Sequence, residues 1–232
     1  MIKAENLQRR YGNLVALDIP ELHIKKQESF GIVGNNGAGK TTFFKLILDL
    51  ILPSVGAVYS KGENVKRSDH WKPYTDAFLD DRFLIDFLKP EEYFEFIGRL
   101  HGVSPDGVGE ELKLYERLFS EEILGKDKLI RELSKGNQKK VGIVGSLLCR
   151  PEVVILDEPF SNIDPTSVSR LKLLLNELQE EHGMTFIISS HDLNHITEVC
   201  KRIVIIDHGK IVRDLETDED TLEELEAYFT GL

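Results

Sequence analysis

Between an apolar, strand-like pentapeptide, Ser29 to Val33, and a helix-compatible run, Thr42 to Leu48, the chain carries Gly34-Asn35-Asn36-Gly37-Ala38-Gly39-Lys40-Thr41. The spacing G-x-x-x-x-G-K-[ST] holds without a departure. Its glycines let the backbone curl so that successive N–H groups, from Asn35, Asn36, Gly37, Ala38 and Gly39 through Lys40, Thr41 and Thr42, form an anion nest at the positive end of a helix. In such a cradle Lys40 reaches the β- and γ-phosphates of a nucleotide, and the Thr41 hydroxyl ligates Mg²⁺. The alternative is a glycine-rich turn that binds nothing; the flanking strand and helix and the Lys-Thr pair argue against it. The motif requires a strand, a loop and a helix in that order, which restricts the chain to α/β architectures.

The remaining apolar runs agree. Val153 to Leu156, Thr185 to Ile188 and Ile203 to Ile206 are continuous, as in parallel strands covered on both faces. Shorter runs at Ile2–Leu7, Leu14–Ile19, Leu22–Ile24 and Gly56–Tyr59 predict an N-terminal antiparallel β subdomain. From Arg82 to Gly145 the character is helical. Pro90 opens a helix that ends near Leu100 and sets Tyr93, Phe94, Ile97 and Leu100 on one face; a second amphipathic stretch spans Leu112 to Phe119. Asp164 as N-cap, Pro165 at the first position and Gly183 at the end delimit a helix with a buried stripe of Leu171, Leu174, Leu175 and Leu178. The expected fold is one α/β domain over 1–232. A mostly parallel sheet core with the phosphate loop (1–81 and 146–232) carries an inserted α-helical subdomain at 82–145.

Val153 to Leu156 ends in Asp157-Glu158. Adjacent carboxylates at the carboxyl edge of an open sheet, where ligands bind, can divide labour: Asp157 holds Mg²⁺, and Glu158 orients and deprotonates an attacking water. Alone the pair is common; downstream of a phosphate loop it points to hydrolysis.

A net charge of −11 argues against a nucleic-acid partner, which normally meets a basic face. No run approaches the roughly 18 apolar residues of a membrane span; Phe43 to Leu52 is broken by Lys45 and Asp49. The N-terminal residues lack an apolar signal core, so any membrane contact is expected through a partner. Two distant cysteines, Cys149 and Cys200, with apolar neighbours, predict buried reduced thiols and a cytoplasmic setting.

Further motifs carry a family resemblance. Leu133-Ser134-Lys135-Gly136-Asn137-Gln138 ahead of Asp157-Glu158-Pro159 resembles the signature of ABC (ATP-binding cassette) ATPases. Ser161-Asn162-Ile163-Asp164 resembles their D-loop, Ser189-Ser190-His191 their switch histidine, and Tyr11 lies where the family stacks an aromatic on adenine. These motifs follow the family order over nearly the entire chain, which is identified as a member of the ABC nucleotide-binding domains. The resemblance implies that Ser134 and the Gly136 backbone receive the γ-phosphate held by a second subunit. Two ATP molecules are then sandwiched in a dimer, His191 contacts the γ-phosphate and the attacking water, and Asp164 links the two sites. Read without the family, His191 is a surface or helix-capping residue and Tyr11 a core aromatic.

Three positions depart from the family pattern. Lys135 replaces the first signature glycine and Asn137 its glutamine. Ala77-Phe78-Leu79-Asp80-Asp81 occupies the loop that usually carries a metal-contacting Gln; Asp81, or else Asp80, substitutes as a metal-facing acceptor, or is a solvent-facing loop acid. Apolar residues beyond it, Phe83, Leu84, Ile85 and Phe87, either line a docking groove for a permease helix or pack in the core.

The resemblance implies the Mg²⁺-dependent ATPase subunit of a transporter. Paired as a homodimer on the inner face of the cell membrane, it is coupled to a separate integral membrane permease, and resembles export-type systems. The alternative is an ABC ATPase of an assembly scaffold such as iron–sulfur cluster biogenesis. Chromosome and DNA-repair relatives insert long coiled coils or zinc modules, which this chain lacks.

Overall fold

The computed structural model describes residues 1–119 and 123–230; residues 120–122, within the expected helical insertion, and 231–232 lie outside the described residues. In chain order the elements are β1 (Ile2–Tyr11), β2 (Leu14–Ile24), β3 (Ser29–Val33), α1 (Lys40–Ile47), β4 (Val55–Ser60), β5 (Glu63–Asn64) and β6 (Thr75–Phe78). Three helices follow, α2 (Pro90–Leu100), α3 (Pro105–Tyr115) and α4 (Lys135–Leu147). The chain then runs through β7 (Val153–Leu156), α5 (Pro165–His182), β8 (Thr185–Ser190), α6 (Leu193–Val199), β9 (Arg202–Asp207), β10 (Lys210–Glu216) and α7 (Thr221–Thr230).

Two sheets form. The N-terminal one is antiparallel, in the order β2-β1-β4-β5; the other has the order β10-β9-β3-β8-β7-β6 and is parallel except for the β9–β10 pair. The two apolar runs expected at Leu14–Ile19 and Leu22–Ile24 are one strand, β2. Pro20 is tolerated there because β2 lies at the sheet edge, where a missing N–H leaves no neighbour unpaired.

The continuous apolar strands are buried on both faces because successive side chains alternate between two cores. Val154, Leu156, Phe186, Ile188, Ile203 and Ile205 join the helical side, with α2, α4 and α5. Val153, Ile155, Ile187, Val204 and Ile206 join the other side, with α1 and the antiparallel sheet. Burying these strands twice over supplies about 1.5–3 kcal/mol of transfer free energy per large apolar side chain.

The helical insertion connects two neighbouring parallel strands, β6 and β7. Its last helix, α4, runs through the boundary expected between 145 and 146 and lies against β6 so closely that a Cβ at Gly142 would collide with the Phe78 ring. In α2, Tyr93 and Phe94 are buried as expected and Ile97 packs against the core, but Leu100 is 67% exposed. Leu100 is the last residue of α2, and the chain turns away there through Gly102, at φ +75°. Helix α5 has the expected punctuation: the Asp164 side chain accepts from the Ser167 N–H at 2.9 Å, Gly183 closes the helix at φ +63°, and the four leucines are buried.

Candidate nucleotide site

Helix α1 starts at Lys40, directly after Gly39, whose φ of +116° suits only glycine. A Cβ at Gly39 would also lie 2.9 Å from the Ala16 carbonyl oxygen, so the loop is pressed onto β2. The loop opens onto a cavity of about 680 Å³ lined by Asn35 to Thr42, Ala16, Phe78 to Asp81, Lys135, Lys139, Asp157, Glu158 and Asn162. Lys40 is buried at its base; Nζ donates to the Gly34 carbonyl at 2.5 Å and lies 3.5 Å from Glu158 Oε1.

Strand register brings the acids to the cradle. Phe78 pairs with Leu156, Leu156 with Ile188, and Val33 with Ser190, so the residues that follow these strands share one sheet edge. There the Thr41 hydroxyl donates to Asp157 Oδ2 at 2.5 Å and the Ser189 hydroxyl to Asp157 Oδ1 at 2.5 Å. Burial pushes the Asp157 carboxyl up from its ordinary range, against the pull of those two hydroxyls. Glu158 adopts a left-handed backbone, φ +51°, and its N–H donates to Ser189 Oγ at 2.9 Å. Its Oε2 accepts the His191 N–H at 3.2 Å and lies 2.7 Å from His191 Nδ1. A hydroxyl paired with a carboxylate at the foot of a phosphate cradle is the donor set of a hard, oxygen-seeking cation. These residues therefore fit a magnesium nucleotide.

Asp80 and Asp81 are distinguished by their partners. Asp80 is engaged by Arg82, through its backbone N–H and its guanidinium, which holds the carboxyl below the usual range. Asp81 lines the cavity with Oδ1 buried and without a hydrogen-bond partner among the described residues, and Oδ2 is 4.0 Å from Lys135 Nζ. Of the apolar residues beyond, Leu84 and Ile85 belong to the core, while Phe83 and Phe87 are exposed.

Ser134, Gly136, Asp164, His191 and Tyr11 do not line this cavity. Ser134 caps α4 by accepting from the Asn137 N–H. Asp164 is held within its own chain by the Ser167 N–H and by Lys140 Nζ at 3.1 Å, and its carboxyl is driven far below the ordinary range, the Ser167 bond being the main cause. His191 hydrogen-bonds Glu158, a residue of the cavity wall. Tyr11 is 47% exposed, with the Arg9 guanidinium 4.4 Å over its ring, so it is not a core aromatic. Cys149 and Cys200 are both free; Cys200 is buried and Cys149 only half-buried.

Sequence reasoning gave no role to three residues placed here. Ser189 bridges Asp157 and Glu158; a serine at the end of a strand neighbouring the acids was the available signal. Ala16 touches the loop from β2 and carried no signal. Lys139, the third, sits one helical turn beyond Lys135.

With this geometry in view, the matches to known proteins are informative. The family described as ABC transporter matches residues 17–161. The uncharacterized ABC transporter ATP-binding protein YhaQ of Bacillus subtilis is 34% identical over 91% of this chain and 70% of its own length. The bacitracin transport ATP-binding protein BcrA of Enterococcus faecalis is 32% identical over 94% of this chain and 70% of its own. Among solved structures, the ATP-binding cassette MJ0796, a dimer bound to ADP and Pi, superposes with a TM-score of 0.83 at 25% identity, covering 94% of this chain and 99% of that one. A two-sheet cassette with a phosphate loop, paired acids and a signature helix defines an ABC-type ATPase. The chain belongs to the ABC transporter family, among its ATP-binding proteins. No helix among the described residues is long and apolar enough to cross a membrane.

Proposed function

We propose that this chain is the Mg²⁺-dependent ATP-hydrolysing subunit of an exporter, working as a homodimer on the cytoplasmic face of a membrane and driving a separate permease. The observation that carries the reading is the convergence of the adjacent acids Asp157 and Glu158 with the phosphate loop at one sheet edge, Thr41 Oγ1 lying 2.5 Å from Asp157 and Lys40 Nζ 3.5 Å from Glu158. The cradle binds the phosphates and Lys40 takes the β- and γ-oxygens. Thr41, Asp157 and Asp81 hold the metal, which when bound offsets phosphate charge. Glu158 orients the water and removes its proton, and His191 holds the Glu158 carboxylate in place. Ser134 and Gly136 serve the γ-phosphate of the partner subunit, Asp164 lies at the junction between the two sites, and Tyr11 stacks on adenine with Arg9 behind it. The MJ0796 dimer supports the two-chain arrangement, and the transport role in the name of BcrA supports transport over a scaffold function. Exposed Phe83 and Phe87, beside the Asp81 loop, suit a permease helix.

The test is Glu158→Gln. It retains ATP binding, slows turnover by about 10²–10⁴-fold, and accumulates an ATP-bound dimer on gel filtration; unchanged turnover refutes the base assignment. In detergent extracts the same variant co-purifies with a multi-spanning membrane protein, whereas soluble partners alone favour the scaffold alternative.

A further inference from the structure

Lys139 is a buried cation that the roles above leave unused. Its Nζ donates to the Glu158 carbonyl at 2.9 Å, to the Ser161 carbonyl at 2.9 Å and to Ser161 Oγ at 2.7 Å. An ammonium has three donors, and here each has an acceptor on one short turn. That turn is not self-sufficient: Glu158 and Asn162 both sit at positive φ, +51° and +60°, which non-glycine residues adopt at a cost. Burial lowers the pKa of Lys139, while Asp81, Glu158, Asp157 and Asp80 raise it, so the ammonium lies amid the acids of the site. The clamp continues on either side. A Cβ at Gly136 would lie 3.0 Å from the Asn162 carbonyl oxygen, and Lys140 pairs with Asp164. The first turns of α4 thus hold this segment at Glu158, Ser161, Asn162 and Asp164.

We infer that Lys139 is a positioning residue for ATP hydrolysis. By fastening the Glu158–Ser161 turn to α4, it sets the Glu158 carboxylate in register with the phosphate cradle and makes that register depend on where the helical insertion sits. The inference rests on the reading of Glu158 as the base. Lys139 lines the cavity, but its three donors are taken by the Glu158–Ser161 turn, and it acts through the backbone of Glu158.

The experiment measures steady-state turnover, fluorescent mant-ATP affinity and thermal unfolding for Lys139→Met and Lys139→Gln, each in the wild-type and Glu158→Gln backgrounds. Lys139→Met lowers kcat by about 10²-fold, the scale of a misplaced catalytic group, while mant-ATP affinity changes by less than about threefold. In the Glu158→Gln background it lowers kcat no further, because the group it positions is already gone. Lys139→Gln, which keeps two N–H donors, recovers most of the lost turnover. If Lys139→Met does not fold, Ser161→Ala makes the same comparison by removing one acceptor. Unchanged kcat, an equal loss in both backgrounds, or affinity falling in step with kcat overturns the inference. Wild-type turnover in Glu158→Gln alone overturns the base assignment instead, and the inference with it.

Discussion

His191 Nδ1 lies 2.7 Å from Glu158 Oε2 while Lys40 Nζ lies 3.5 Å from Oε1 of the same carboxylate. The candidate base is therefore strung between the end of β8 and the phosphate loop, with one oxygen facing each. A rotamer change at Glu158 has to break one of these contacts. His191→Ala removes the imidazole contact with Oε2 and leaves only the backbone N–H bond at 3.2 Å, and turnover is expected to fall by up to about 10²-fold with mant-ATP affinity nearly unchanged. Wild-type turnover in that variant would remove His191 from the catalytic arrangement.

Asp81 and Asp80 are expected to behave differently despite being neighbours. Asp81 has an unpartnered buried oxygen on the cavity wall, whereas Asp80 is taken up by Arg82. Asp81→Ala should raise the Mg²⁺ concentration needed for half-maximal turnover, and Asp80→Ala should leave it in place. A titration in which the two variants coincide would show that Asp81 does not face the metal.

The pH dependence of Asp157 has a definite sign. Burial raises its pKa in the fold. A raised carboxyl favours the folded state below its unfolded pKa, and that contribution is lost as pH rises through the folded value. At neutral pH the ionised Asp157 therefore costs stability in protein stripped of nucleotide. Asp157→Asn should raise the thermal midpoint at pH 7, with the gain shrinking as pH falls to about 4, while turnover is lost. A midpoint difference that grows on acidification contradicts the assignment.

The same substitution at two helical glycines should have opposite effects. Gly142→Ala in α4 drives a methyl into the Phe78 ring and is expected to destabilise by about 1–3 kcal/mol. Because Phe78 precedes the Asp81 loop, its nucleotide affinity should fall as well. Gly109→Ala in α3 meets open space and should stabilise by about 0.5–1 kcal/mol. Chemical denaturation of both variants checks the pair.

What was legible in the chain follows from how local each signal is. The phosphate loop, the parallel strands and the boundaries of α5 rest on adjacent residues, and they appear where expected. Strand β6 gave no such signal: Thr75-Asp76-Ala77-Phe78 has no apolar alternation, and it is a strand because β7 pairs along it. Leu100 obeyed helical periodicity yet is exposed, since periodicity says nothing of where a helix leaves the core. The site was readable as far as motifs went. Ser189 and Lys139 act through contacts with residues about 20 to 30 positions away in the chain, and spacing alone does not reveal such contacts.

The helical insertion leaves the sheet at β6 and returns to it at β7, and these strands are hydrogen-bonded neighbours. Topologically the whole subdomain is one parallel crossover, leaving at the Phe78 end of β6 and re-entering at the opposite, Val153 end of β7, about 11 Å away for three residues of rise and one strand spacing. The entropy of closing such a connection grows only with the logarithm of its length. Changes of length between β6 and α4 therefore cost little in closure entropy. A cassette built this way can change the surface that α2 and α3 show to its surroundings as long as α4, which holds the Glu158–Ser161 turn, is kept.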